Sequence, residues 1–195
     1  MVTDDLNKYR IILASRSPRR QQLLHEMGIR FNTVIREYEE SYPDNLKGEE
    51  IATYLSELKA NDFKNEISVN EIVITADTIV WCNNEVLGKP SDSEDAKRMI
   101  RKLSGNTHEV ITGVTLLSAS KEKTFSDTTK VTFEKLSEEE ISYYVDNFKP
   151  YDKAGAYGIQ EWIGVAACSR IEGSYFNVVG LPVQKLYKEL KEFVM

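Results

Sequence analysis

The chain has 195 residues, with 25 lysines and arginines against 31 aspartates and glutamates, so its formal net charge is −6. Hydrophobic residues make up 41% and charged residues 29%, a balance typical of one soluble globular domain or of two small lobes sharing a core. Five prolines and ten glycines are too few for a disordered or fibrous chain. The negative charge argues against a free-standing nucleic-acid-binding protein.

No apolar run approaches the roughly 18 residues that suggest a membrane span. The segment from Met1 to Arg10 contains several charged residues and no apolar core, so we expect no secretory signal and a cytoplasmic location. Cys82 and Cys168 lie beside apolar residues and belong to no CxxC pair, which indicates buried thiols. The only histidines, His25 and His108, are far apart in the sequence. A structural zinc site is therefore not expected, and we assign both histidines structural or surface roles.

In chain order, the first predicted elements are a strand and a helix. The stretch from Arg10 to Ala14 contains Ile-Ile-Leu and predicts a short buried strand. Ser17 suits an N-cap, Pro18 suits the first helical position, and Gly28 suits the stop after the last turn. Residues 37–48 are polar and predict a loop.

A second helix and a long strand follow this loop. The apolar spacing from Ile51 to Leu58 predicts the helix and leaves Lys59 on its polar side. The β-branched stretch from Glu71 to Trp81 predicts a strand, interrupted at Ala76-Asp77-Thr78. Asn83-Asn84 is typical of a hairpin turn.

The second half of the chain mixes helices with paired strands. Ser91 and Glu94 form a capping-box pattern for a helix that ends at Gly105. The later predictions are strands over Val110–Ser118 and Thr124–Phe133, a helix capped by Ser137 and Glu140, a glycine-rich loop over 150–164, short strands around Val165–Ile171, and a helix opened by Pro182. This order predicts an α/β fold with a mixed β-sheet flanked by helices. No linker is long enough to divide the chain, so we expect a single domain over residues 1–195.

The segment Ser15-Arg16-Ser17-Pro18-Arg19-Arg20 lies where the first strand meets the first helix. A helix N-terminus carries unpaired N–H groups and partial positive charge, so Arg19 and Arg20 are locally unfavourable there. The conflict is resolved if an anion binds, because N–H groups, serine hydroxyls and guanidinium groups together suit phosphate. The alternative is a solvated basic turn.

Asp77 stands between apolar residues of the long predicted strand. A carboxylate in such surroundings must be hydrogen-bonded, paired with a cation or bound to a metal. A divalent cation or a catalytic water would explain its presence. The alternative is an aspartate at a strand end or bulge that faces solvent.

Other polar residues are weaker candidates. Lys89 lies between Gly88 and Pro90, which restrict its backbone and help to aim its ammonium group. Lys59 and the pair Glu39-Glu40 have solvent-exposed surface roles as their simplest interpretation. The loop Asp152–Gln160 contains small residues that permit close backbone approach to a flat ligand. Gln160 can donate and accept hydrogen bonds to a base edge, although a tight structural loop explains the same pattern.

Common catalytic motifs are absent from the sequence: there is no Walker loop, no GxGxxG after a strand, no HExxH and no GxSxG. The motifs that are present occur in a characteristic order: Leu13–Arg20, Ala76–Val80, Gly88–Pro90, Leu103–His108, Asp152–Gln160, Gly173–Tyr175 and Val179–Pro182. In this order and spacing the sequence resembles the Maf family of nucleoside triphosphate pyrophosphatases, which is related in fold to inosine triphosphate pyrophosphatases. The resemblance covers nearly the whole chain.

The resemblance implies a hydrolase that converts a nucleoside triphosphate and water to the monophosphate and pyrophosphate. It implies a divalent metal, Mg²⁺ or alternatively Mn²⁺, an elongated fold of two lobes with a central cleft, and a homodimer. The Asp152–Gln160 version is similar to the branch that acts on dTTP and UTP, with modified pyrimidine triphosphates as further candidates. The implied role is nucleotide-pool housekeeping.

The resemblance also assigns residues to roles. The implied catalytic residue is Asp77; the implied substrate-binding residues are Ser15, Arg19, Arg20, Lys59, Thr78, Lys89 and Gln160; the implied metal ligands are Glu40 and Asp77. Base selection is attributed to the positions of Arg19, Thr78 and Gln160. Two residues beside the predicted pocket depart from the family pattern, because Arg16 and Glu161 stand where glycine is frequent.

A second hypothesis is a non-catalytic nucleotide-binding regulator of cell division. Such a protein would keep Arg19 and Arg20 for binding, but it would not need the other four charged residues of the implied site together. The enzyme is therefore preferred. We expect a nucleoside triphosphate as the ligand and neither nucleic acid nor a membrane as a partner, since RNA binding requires a basic face.

Overall fold

The computed structural model describes residues 6–195. Residues 1–5, half of the segment in which we expect no secretory signal, lie outside the described residues. The strands are β1 (Arg10–Leu13), β2 (Phe31–Thr33), β3 (Glu71–Cys82), β4 (Glu85–Leu87), β5 (Thr107–Leu117), β6 (Glu122–Phe133) and β7 (Cys168–Glu172). The helices are α1 (Pro18–Glu26), α2 (Glu49–Asn61), α3 (Ser93–Leu103), α4 (Glu138–Phe148), α5 (Trp162–Ala166), α6 (Tyr175–Val179) and α7 (Val183–Phe193), with a 3₁₀ turn at Ala154–Ala156.

The described strands form one seven-stranded sheet in the order β2-β1-β3-β5-β6-β7, with β4 beside β3. Strand β1 pairs in parallel with β2 and β3, whereas β4 runs antiparallel to β3 and β7 antiparallel to β6. The predicted mixed α/β fold is therefore confirmed. Asn83 and Asn84 join β3 to β4 with φ values of 52° and 60°, as a tight hairpin turn requires.

The chain divides into two compact units, each built from separate stretches of sequence. Unit 1 contains the described chain up to Asp77, followed by Thr112–Asp127 and Gly180–Met195. Unit 2 contains Thr78–Ile111 and Thr128–Val179. The predicted cleft between two lobes stays a prediction.

Side-chain caps mark where α1, α3 and α4 begin. The Ser17 hydroxyl accepts a hydrogen bond from the Arg20 N–H, and Pro18 opens α1. Both halves of the predicted capping box at Ser137 form at the start of α4. The predicted cap of α3 is wrong by one residue, because the Asp92 side chain, and not Ser91, accepts from the backbone N–H of Asp95.

Several other predictions are corrected by the structure. Strand β3 continues through Asp77 without interruption. The predicted loop over 150–164 contains the 3₁₀ turn and the first residues of α5. Strand β2 and helix α6 were not predicted; both are short and lack a clear apolar period.

The two cysteines and the two histidines differ in how far the fold buries them. Cys82 is a buried free thiol, as predicted, whereas Cys168 is only half-buried. Burial raises the pKa of both thiols. His25 is exposed on α1 and His108 is buried at the start of β5. Among residues 6–195, no helix combines the length and apolar character that crossing a membrane requires.

Candidate active site

The most unusual side chain of unit 1 is Asp77, a carboxylate buried in an otherwise apolar part of β3. Lys59 of α2 donates a hydrogen bond from Nζ to Asp77 Oδ1. The same ammonium lies 3.5 Å from Glu40 Oε1. The carboxylate is therefore paired with a cation. The alternative of a solvent-facing aspartate is wrong, because Asp77 is buried.

The prediction that Lys59 lies on the polar, solvent-facing side of its helix is wrong. Only 10% of its side chain is exposed, the same fraction as for Asp77. Burial of a lysine is favourable only when its charge is compensated, and here the two carboxylates of Asp77 and Glu40 provide the compensation. Helical spacing in fact places Lys59 on the buried face, four residues after Leu55 and eight after Ile51, whereas no local pattern shows which carboxylates compensate its charge.

Helix α2 is held against the sheet by hydrogen bonds one turn before Lys59. Thr75 Oγ1 donates to the Ser56 carbonyl oxygen at 2.7 Å, and the Ser56 hydroxyl lies 2.9 Å from Thr115 Oγ1. Thr75 and Asp77 are two residues apart on β3 and share a face. The contact of Thr75 therefore sets the register that brings Lys59 to Asp77.

The predicted anion-binding turn lies at the start of α1. The Ser15 hydroxyl accepts from the Ser17 N–H at 3.2 Å, and Ser15 is buried. Arg19 is half-buried, whereas Arg16 is exposed and forms an ion pair with Glu37. The turn is thus ordered by its own hydroxyl groups, and phosphate binding there stays a prediction.

Arg20 connects this turn to the strand that carries Asp77. Its Nη1 donates to the Ala76 carbonyl oxygen at 2.7 Å, and its Nε donates to the Gly180 carbonyl oxygen at 2.8 Å. Burial lowers the pKa of the guanidinium, and the charge of the Asp77 carboxylate opposes that shift. Arg20 therefore fixes the backbone directly before Asp77, in addition to any contact with substrate.

The other three predicted binding residues belong to unit 2. Thr78 is half-buried in β3, Lys89 is exposed after β4, and Gln160 is exposed between two anchored residues. The carbonyl oxygen of Gly88 accepts from the Gly155 N–H at 3.0 Å. This bond ties the turn of Lys89 to the loop that carries Gln160.

An aromatic group holds the middle of that loop. His108 Nε2 lies 2.8 Å from the Tyr157 hydroxyl, and the rings of His108, Tyr157 and Phe133 contact one another edge to face at centroid distances of 5.0–5.4 Å. Burial lowers the pKa of His108 to about 4 and raises the pKa of Tyr157. The histidine is therefore a neutral packing group at neutral pH.

The end of the loop is held by a second group of side chains. Glu161 accepts a hydrogen bond from the Tyr144 hydroxyl and lies 3.0 Å from Lys153 Nζ. Sequence reasoning identified Glu161 only as a departure from the family pattern. Neither partner could be assigned, because Tyr144 fits the apolar stripe of its helix and Lys153 belongs to a quoted motif without a separate role.

The donor set of unit 1 suits a hard divalent cation. Asp77 and Glu40 supply carboxylate oxygens, and the ammonium of Lys59 already bridges them. No group of three or more metal-ligating side chains is present among residues 6–195. Mg²⁺ is commonly bound by only one or two carboxylates together with water and substrate phosphates, so these residues fit it.

Comparison with known proteins gives the class of this chain. The family model described as "Maf-like protein" matches residues 10–193. The chain is 52% identical over 194 residues to the dTTP/UTP pyrophosphatase of Flavobacterium johnsoniae, covering 100% of both chains. It is 54% identical over 190 residues to that of Phocaeicola vulgatus, covering 97% of this chain and 98% of the relative. The chain belongs to the Maf family.

Among solved structures, a nucleoside-triphosphatase / dITP/XTP pyrophosphatase from Mycobacterium abscessus aligns with a TM-score of 0.45 at 13% identity. The alignment covers 92% of each chain.

Proposed function

We propose that this protein hydrolyses dTTP and UTP to the nucleoside monophosphate and pyrophosphate. The observation that carries the proposal is the buried Asp77 carboxylate, paired with Lys59 and flanked by the backbone that Arg20 holds. Membership of the Maf family and the names of relatives about half identical in sequence supply the reaction. A cytoplasmic location and a homodimer belong to the same proposal.

The basic residues of unit 1 bind the triphosphate. The N-terminal N–H groups of α1 and the side chain of Arg19 offer positive charge to phosphate oxygens. The field within a pocket is set by the charges nearest to it, so a protein of net charge −6 still attracts a polyanion locally. Lys89 and the base-reading Gln160 complete the proposed set of substrate contacts.

Asp77 and Glu40 would hold Mg²⁺, which in such sites neutralises charge on phosphate oxygens and on the leaving pyrophosphate. The other steps belong to residues of the chain. Asp77 accepts a hydrogen bond from the attacking water and orients it toward the α-phosphorus. Lys59 holds the carboxylate in place through its hydrogen bond to Oδ1. The water oxygen forms the new P–O bond and passes a proton to the Asp77 carboxylate, while the bond from the α-phosphorus to the bridging oxygen breaks and pyrophosphate leaves.

The proposal is tested by pyrophosphate release from the purified full-length protein. We expect release from dTTP and UTP in excess of release from ATP, GTP and CTP, with monophosphate as the second product and loss of activity in EDTA. Release of inorganic phosphate with a nucleoside diphosphate would contradict the proposed cleavage site.

Replacement of the central carboxylate is the sharper test. Asp77→Asn removes the charge that orients water but keeps the size of the side chain, so we expect a folded protein whose turnover falls on the order of 10²–10³. Asp146→Asn, an exposed change near Lys97, is the matched control and should retain full turnover. Turnover near that of the unaltered protein in Asp77→Asn would remove Asp77 from the mechanism.

A further inference from the structure

The loop that carries Gln160 is closed at both ends by charged side chains. Lys153 Nζ lies 3.0 Å from Glu161 Oε1 and 2.7 Å from Asp152 Oδ1. Only 10% of the Lys153 side chain and 24% of the Glu161 side chain are exposed, so the pair of Lys153 and Glu161 is largely buried. The ion pair between Lys153 and Glu161 joins the two residues that flank 154–160.

The second oxygen of the same carboxylate reaches into the interior of unit 2. Glu161 Oε2 accepts from the hydroxyl of Tyr144, and that hydroxyl accepts from the Gly158 N–H at 3.0 Å. Tyr144 is fully buried on α4, and a buried hydroxyl that both donates and accepts is satisfied. Both oxygens of Glu161 thus have a partner, and one of them leads back to the loop backbone. We call Tyr144, Lys153 and Glu161 the Glu161 network.

The absence of a side chain at Gly158 is part of this arrangement. A Cβ at this position would lie 2.8 Å from Cδ of Glu161 and about 3 Å from both carboxylate oxygens. The carboxylate therefore packs directly against the loop backbone, two residues before Gln160. Since Gln160 lies between Ile159, which is buried, and Glu161, its backbone position depends on where Glu161 is held.

We propose that Glu161 is a positioning residue that sets base selectivity by fixing the backbone of Gln160 through the Glu161 network. The inference rests on the proposed function. A fully satisfied polar network of low exposure is rigid and specifies one arrangement. A glycine at this position would have no carboxylate and would make neither contact. Selectivity in this chain therefore has a contribution that a glycine at the same position lacks.

The test compares four variants by their kcat and KM for dTTP and for dGTP. In Glu161→Ala and in Tyr144→Phe we expect the preference in kcat/KM for dTTP over dGTP to fall about tenfold. The change should appear mainly in the KM for dTTP, because the phosphate-binding residues of unit 1 are untouched. Glu161→Gln should recover part of the preference, since its amide oxygen still accepts from Tyr144. Glu138→Ala, which removes an exposed ion pair with Arg101 in the same unit, should change nothing.

A double variant and hydrogen exchange separate positioning from general loss of structure. The double variant Tyr144→Phe with Glu161→Ala should keep a dTTP preference at least as large as that of the less selective single variant, because both changes break the same network. The amide of Gly158 should exchange faster in both single variants and at the original rate in Glu138→Ala.

Two results would overturn the inference: an unchanged dTTP preference in Glu161→Ala, or an unchanged exchange rate of the Gly158 amide. Failure of the proposed function has a different signature, since the unaltered protein would then release pyrophosphate from no triphosphate. That result would remove the selectivity role together with the activity.

Discussion

At the scale of single residues, the buried charges of Lys59 and Asp77 are the least expected feature of the candidate site, because burial of a charge is unfavourable. A buried ion pair adds little net stability compared with apolar residues of the same size, although loss of one partner costs about 3–5 kcal/mol. The pair of Lys59 and Asp77 is therefore poorly explained by stability. Its position next to Arg20 and Glu40 is explained if the charges act on a ligand.

His108 gives a prediction about pH at the same scale. Its pKa is about 4 in the folded protein and 6.5 ordinarily, so between these values the unfolded chain binds a proton that the folded protein does not. Stability is therefore lost as pH falls from 6.5 to 4, by about 3 kcal/mol in total. His108→Phe should lack this part of the pH dependence in denaturant unfolding, although it is less stable at pH 7 because Tyr157 loses its partner.

Replacement of the exposed His25 by glutamine is the control, and this variant should keep the pH dependence of the unaltered protein. If His108→Phe loses stability between pH 6.5 and pH 4 as steeply as the unaltered protein, another group is responsible.

At the scale of elements, the contact between α2 and the sheet decides where Lys59 lies. Gly113 of β5 makes this contact possible, because a Cβ there would lie 2.1 Å from the Ala52 carbonyl oxygen. Backbone cannot yield as a flexible side chain does, so the helix would have to move. The glycine thus supports the candidate site although it contains no functional group.

Gly113→Ala should lower the free energy of unfolding by about 1–3 kcal/mol through this overlap. It should also reduce pyrophosphate release, since α2 carries Lys59. Gly88→Ala is the stability control, because its surroundings are open and its φ is ordinary. Equal denaturation midpoints for the two variants would show that α2 does not depend on the close approach.

The elements that could be predicted from sequence are those whose signals are local. The cap at Ser17, the capping box at Ser137 and the hairpin at Asn83 depend on neighbouring residues alone, and all three form. Asp77 was expected to break its strand because a carboxylate is unfavourable among apolar residues. The compensating charge of Lys59 comes from another element, which no local pattern reveals.

The residues of the candidate site also differ in whether their sequence signal is local or depends on a distant partner. The residues of the predicted anion-binding turn are singled out by a local conflict, which is a cation at a helix N-terminus. The Glu161 network was not identifiable, because Tyr144 has the apolar spacing of its helix and shows its polar function only through its hydroxyl. Distant pairings and hydroxyl contacts therefore account for most of what sequence reasoning missed.

At the scale of the whole molecule, neither unit is a continuous piece of chain. The backbone passes from one unit to the other within β3, β5 and β6 and again before Gly180. The predicted catalytic and phosphate-binding residues up to Asp77 belong to unit 1, whereas the predicted base-reading residue Gln160 belongs to unit 2. Both parts of the proposed function therefore require the full chain.

A chain ending at Val179 should fail to fold cooperatively, although it retains all of unit 2. It loses α7, whose buried Leu186, Leu190 and Phe193 together contribute about 5–9 kcal/mol, comparable with the total stability of an ordinary domain. Thermal unfolding followed by circular dichroism measures this. Removal of Val194 and Met195, which lie beyond α7, should leave the transition unchanged. A sharp transition at the original temperature in the shorter chain would contradict the assignment of α7 to the core of unit 1.

The spacing of Thr75 and Asp77 limits how this protein can vary over generations. The two side chains use the same face of β3, one to hold α2 and the other to meet Lys59. Gain or loss of a single codon between Glu71 and Thr75 would turn both of them to the opposite face. Descendants of this gene can exchange side chains along the strand, but they cannot change its length here and keep the carboxylate where it is.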